Sequence, residues 1–127
     1  MRSLRACRVA LSSDRPVVDG APLGGIQAAV TQLTGSGAPY VPAERIGPLE
    51  AIRWYFLGGA EAQFAEDSLG TLEIGKWADL CALPEDPLRV PPTELARIPV
   101  VLTAVGGEVV YRASQAADTL RRPLKQV

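Results

Sequence analysis

A chain of 127 residues, 47% of them hydrophobic, is long enough for one domain with a buried core. A net charge of −1 with 21% charged residues argues against nucleic acid or an anionic membrane as a partner, because both require clustered Lys and Arg. Arg2 and Arg5 precede no signal-peptide core, no apolar run approaches the roughly 18 residues of a membrane span, and Cys7 and Cys81 lack a CxxC partner, which reads as reduced, packed thiols in a cytoplasmic protein.

Residues 2–7 read as the last turn of a helix, an unusual start for a free-standing domain. Val9-Ala10-Leu11 is short and apolar without polar alternation, which predicts a strand covered on both faces, as in a parallel sheet. That run stops at Ser12-Ser13-Asp14-Arg15-Pro16. An acid at the end of a buried strand makes Asp14 the candidate for any chemistry. On residue types alone, Asp14 before Arg15-Pro16 is first of all a turn or capping aspartate.

Asp19-Gly20 signals a turn, and Leu23, Ile26, Val30 and Leu33 then fall at spacings of three and four, predicting a helix over 23–33. Thr34 to Pro39 is a breaker-rich loop. Its Gly35-x-Gly37 lacks the third glycine and the following helix of a dinucleotide fingerprint. A second helix is predicted from Pro48, which suits a first helical turn, with Leu49, Ile52, Phe56, Ala60 and Phe64 as its apolar stripe. Gly58-Gly59 inside that helix costs about 1 kcal/mol per glycine, so the helix backbone is expected to approach something closely. Trp54 and Tyr55 are read as core or subsite wall in preference to ligand contacts.

From Gly70 the pattern changes to short strands and turns. Glu73-Ile74-Gly75-Lys76 is read as a turn, with glycine where a positive φ is expected. Ala78 to Leu83 is a strand, and Pro84, Pro87, Pro91 and Pro92 exclude a central strand or helix in their stretch. Thr93 to Ala96 makes one helical turn. Val100 to Val105, Gly106-Gly107 and Glu108 to Tyr111 form the strongest hairpin signal. The tail 113–127 has no periodicity and is expected to be flexible, with Arg112, Arg121, Arg122 and Lys125 as a solvated basic end. Residues 1–66 are therefore α/β in style and 67–112 β-rich. Neither half is a complete architecture.

Gly70-x-Leu72-x-x-Gly75-Lys76-x-Ala78-Asp79-Leu80 resembles the signature that opens the C-terminal β segment of the metal-dependent amidohydrolase superfamily. Ser12 to Val17 resembles the end of that family's eighth barrel strand. Pro22 to Thr31 and Glu44 to Ala51 resemble the helices that follow, and Val105 to Tyr111 the closing strands. Together these stretches, over residues 2–112, resemble the YtcJ-like branch. The resemblance implies a C-terminal portion of the family's fold. Residues 1–66 would supply the last strand and helices of a (β/α)8 TIM barrel, and 67–112 part of the small β-sandwich domain.

The resemblance also implies hydrolysis of non-peptide carbon–nitrogen bonds in small amides or cyclic amides, by water activated on a divalent metal such as zinc. Asp14 would be a metal ligand and general acid/base in the complete barrel. The family's remaining ligands include histidines, and this chain has none. The isolated chain is therefore expected to bind no metal and to be inactive. Its expected partner is the N-terminal barrel portion or another copy of itself. The alternative is a non-catalytic interaction or structural module, or a truncated gene product. If barrel partners are missing, Val9–Leu11 and the Leu49–Phe64 stripe are expected to expose apolar patches.

Overall fold

The computed structural model describes residues 8–114. The expectations placed on residues 2–7, Cys7 and the tail with Arg121, Arg122 and Lys125 lie outside the described residues.

Helix α1 spans Pro22–Thr31 and starts at a proline, whose fixed φ suits a first turn and whose missing N–H costs nothing there. It ends where Gln32 turns left-handed (φ 51°) and its N–H donates to the Ala28 carbonyl at 2.8 Å. Ile26 and Val30, four residues apart, form its buried face. The loop that follows is closed by Thr34, whose Oγ1 accepts the Ala38 N–H at 3.1 Å, with Gly37 at φ 84°. A short 3-10 turn, Pro42–Glu44, leads to helix α2, Pro48–Ala62.

The β part is a three-stranded antiparallel sheet: β1 (Leu80–Ala82), β2 (Leu102–Val105) and β3 (Glu108–Arg112), in the order β1-β2-β3. Val105 faces Glu108 across a turn whose two glycines both have positive φ, 57° and 85°. That geometry suits the right-handed twist of the flanking strands. Val110 is an extra residue on β3, since Thr103 pairs with Tyr111 and Ala104 with Val109. A 3-10 helix, Pro92–Arg97, crosses between β1 and β2.

The core is small. Ile26, Val30, Ile46, Ala51, Leu95 and Ile98 are buried against each other, with Leu23, Trp54 and Tyr55 packed around them. Leu95 is fully buried and comes from the 3-10 helix, so a residue of the β-rich stretch joins the core formed by Ile26 and Val30 of α1. The Ala96 N–H, donating to Gln27 Oε1 at 2.9 Å, ties the same 3-10 helix to α1. Among the described residues no helix is long and apolar enough to cross a membrane.

Four expectations are corrected. Val9–Leu11 forms no strand; among the described residues its backbone tie is the Leu11 N–H to the Trp54 carbonyl, 3.1 Å away. A strand exists only through a neighbour, and the sheet of this chain lies elsewhere. Val9 and Leu11 are half-buried on α2, so that stretch is no large apolar patch. The face that α2 turns inward carries Ala51, Trp54, Tyr55, Gly58 and Ala60; of the predicted stripe Ile52 and Ala60 do face the core, while Leu49, Phe56 and Phe64 are exposed, as expected of an apolar patch there. Small residues allow α2 to approach its neighbours closely, which a face of large residues does not. Cys81 is exposed on β1 rather than packed.

Candidate functional site

Asp14 sits at the first position of a turn that its backbone closes: the Val17 N–H donates to the Asp14 carbonyl at 2.9 Å. Asp14 is left-handed, φ 52°, a region that aspartate enters more readily than most residues, and its own N–H is held by Ser12 Oγ at 3.2 Å. The Arg15–Pro16 peptide bond is cis. The stem of Arg15 folds over Gly20, where an added Cβ would stand 3.0 Å from Arg15 Cδ. The turn reading of the sequence thus holds, and the carboxylate is exposed.

Asp14 stands alone chemically. Among the described residues no group of three or more His, Cys, Asp or Glu side chains converges as a metal shell would require. Cys81 lies on β1, where partial desolvation of its otherwise exposed side chain pushes the thiol pKa up. The described residues therefore bring no such donor set around Asp14, where a zinc shell takes about four ligands. An exposed carboxylate on a fixed turn can accept a proton, or supply one ligand to a shell completed elsewhere. Trp54 and Tyr55 pack on the core, and burial raises the Tyr55 phenol pKa.

The sequence reading missed what the stretch Gly70 to Leu80 does in the fold. Gly70 has φ 89°, and a Cβ there would meet the Ala60 side chain at 2.9 Å and Leu57 Cα at 3.1 Å, so only glycine lets the chain cross the end of α2. Gly75 has φ 94° in a turn closed by the Lys76 N–H and the Glu73 carbonyl at 3.1 Å. The Lys76 ammonium donates to the Glu66 carbonyl at 2.7 Å and pairs with Glu73 at 3.2 Å. The Thr71 hydroxyl, together with Lys76, holds the Glu73 carboxyl below its usual pKa. Asp79 Oδ1 accepts the Gly106 N–H at 2.7 Å, and the Ala78 carbonyl accepts the Gly107 N–H at 3.0 Å. The spacing of glycine, lysine and aspartate was visible in the sequence; the hold of Ala78 and Asp79 on the hairpin turn was not.

A concavity of about 70 Å³ is lined by Glu85, Val90, Glu94, Arg97 and Ile98. An open groove of about 400 Å³ beside α1 includes Gly24, Gln27, Thr31 and Thr34. Neither contains Asp14.

Comparison with known proteins was made on this background. Residues 5–111 match the amidohydrolase family. The chain is 36% identical over 104 residues to the N-substituted formamide deformylase of Arthrobacter pascens, covering 82% of this chain and 19% of that protein. It is 33% identical over 105 residues to the putative amidohydrolase YtcJ of Bacillus subtilis (strain 168), covering 80% and 20%. It is also 33% identical over 104 residues to the protein LONG AFTER FAR-RED 3 of Arabidopsis thaliana, covering 81% and 18%. The chain thus spans about a fifth of the length of these relatives. No solved structure matches it.

Proposed function

The chain belongs to the amidohydrolase family, and on that premise we propose that it is the C-terminal portion of a hydrolase of non-peptide carbon–nitrogen bonds in small amides or cyclic amides. In this reading residues 1–66 end the (β/α)8 barrel and 67–112 contribute to the small β domain. The partner is the barrel portion that would supply the remaining ligands, and the location is cytoplasmic. The observation that carries the reading is the Asp14 turn: a solvent-facing carboxylate, fixed by backbone bonds, at the end of the stretch that resembles the last barrel strand.

Asp14 takes the proton from the attacking water and returns it to the leaving nitrogen, as a carboxylate within reach of both can do. A divalent metal such as zinc belongs to the complete enzyme. This chain contributes one carboxylate to it and not a shell, so the isolated chain is inactive.

The experiment is a chimera in which this chain replaces the matching residues of the Arthrobacter pascens deformylase. Hydrolysis of an N-substituted formamide that survives the exchange and falls by about 10³-fold or more with Asp14→Asn supports the reading. Full activity in Asp14→Asn refutes it. The self-contained core of Ile26, Leu95 and Ile98 favours a second reading, a non-catalytic module that folds alone. Cooperative, monomeric unfolding of the 127-residue chain, with no gain from a barrel partner, would support that one.

A further inference from the structure

Helix α2 holds the stretch leading to Asp14 at two backbone points, four residues apart. At one, the Leu11 N–H donates to the Trp54 carbonyl at 3.1 Å. At the other, Val9 lies so close to Gly58 that an added Cβ would run into the Val9 carbonyl oxygen and stand 3.2 Å from Ala10 Cα. Gly58 is buried, while a Cβ on the adjacent Gly59 would meet nothing within 4 Å. The two glycines therefore differ in kind: Gly58 is a seat for another piece of chain and Gly59 is not. Beyond Leu11 only Ser12 and Ser13 precede Asp14, and Ser12 Oγ holds the Asp14 N–H at 3.2 Å. This short and hydrogen-bonded connection has little slack to absorb a displacement at residues 9–11.

The geometry points to Gly58, together with the Trp54 carbonyl, as the positioning element for Asp14, a role that rests on the reading of Asp14 as the reacting acid. Gly58 touches no reacting atom. It sets how deeply residues 9–11 settle on α2 and so where the Asp14 carboxylate stands. A Cβ at this point lifts the Val9 carbonyl and carries the acid with it, and a displacement of about 1 Å costs on the order of a hundredfold in rate.

The test compares Gly58→Ala with Gly59→Ala, two substitutions with the same effect on helix propensity. In the 127-residue chain, amide exchange and chemical shifts are followed at Leu11, Asp14 and Val17. Gly58→Ala is expected to speed exchange at Leu11 by about tenfold or more and to shift the Asp14 and Val17 signals, with Gly59→Ala leaving all three in place. Unmoved signals in Gly58→Ala, or equal movement in both variants, overturn the proposal. If Gly58→Ala does not fold, Leu11→Pro removes the same amide donor and must shift Val17; an unshifted Val17 is again fatal. In the deformylase chimera, Gly58→Ala should lower kcat about a hundredfold with KM unchanged and Gly59→Ala should not. Undiminished kcat despite displaced amides also sinks it. Loss of the Asp14 reading alone appears as full activity in Asp14→Asn, an outcome that leaves the amide measurements to decide whether Gly58 seats the turn.

Discussion

Asp79 faces water and has no reacting partner near it, yet its Oδ1 accepts the Gly106 N–H at 2.7 Å, across 27 residues of sequence. Replacing it by alanine leaves the turn amide to water at an exposed site, so the expected loss is about 1 kcal/mol, read as a lower urea midpoint at unchanged slope. Asp79→Asn keeps an acceptor oxygen and should recover most of it. Glu73 makes a different prediction. Thr71 and Lys76 favour its ionised form in the fold, so its folded pKa lies below its unfolded one. Its contribution is complete above the ordinary carboxylate range and fades as pH falls through the lowered value. Glu73→Gln should therefore flatten the acid limb of a Tm-against-pH profile, and an unchanged limb would mean that the Thr71 and Lys76 contacts add nothing. At this scale Asp14 was readable in two layers. Its turn follows from residue types, because aspartate tolerates positive φ and accepts local bonds. Its proposed chemistry came only through the family resemblance, because the partners of a metal-binding carboxylate are distant in sequence and the described residues bring no such group together.

Helices α1 and α2 and the β2–β3 hairpin were readable because each is encoded locally: prolines at two helix starts, spacing of three and four in α1, a Gly-Gly pair between β-rich runs. The face of α2 was misread for a reason that is also local. Periodicity weights large side chains, and Leu49 and Phe56 outvote Ala51 and Gly58. Close packing, however, selects the small residues, and the helix turns Ala51 and Gly58 inward. The predicted strand at Val9–Leu11 failed because pairing is not a property of the segment that pairs. The 3-10 helix Pro92–Arg97 shows the opposite case, a short element held by a buried side chain and a hydrogen bond to α1. Leu95 is fully buried among Ile26, Val30 and Ile98. Leu95→Ala should cost about 3 kcal/mol. Because the same core packs on Trp54, chemical unfolding followed by tryptophan fluorescence should shift as a single transition. A second transition, with the helices unaffected, would mean that Leu95 does not link the two stretches.

The molecule as a whole exposes more large apolar surface than its core accounts for. Phe64 is 93% exposed, Tyr40 76% and Leu72 70%, and Leu49 and Phe56 stand on the outward face of α2. Scattered exposed apolar residues are ordinary on a monomer, but contiguous patches beyond a few hundred Å² mark contact surfaces. The relatives are about five times longer than the stretch matched here, so in the proposed reading these faces lie against the rest of the enzyme. That reading fixes the sign of a substitution in two settings. In the 127-residue chain, Leu49→Gln with Phe56→Gln removes apolar area from water and breaks no core contact. The pair should lower binding of a hydrophobic dye and reduce self-association, with Tm unchanged or higher. In the deformylase chimera the same two glutamines would be buried without partners, at about 1–3 kcal/mol each, so Tm and yield of folded enzyme should fall. A free-standing module would show the first effect without the second. If Tm falls in the isolated chain as well, Leu49 and Phe56 already belong to its own core, and the outward face of α2 is not the surface that meets the barrel.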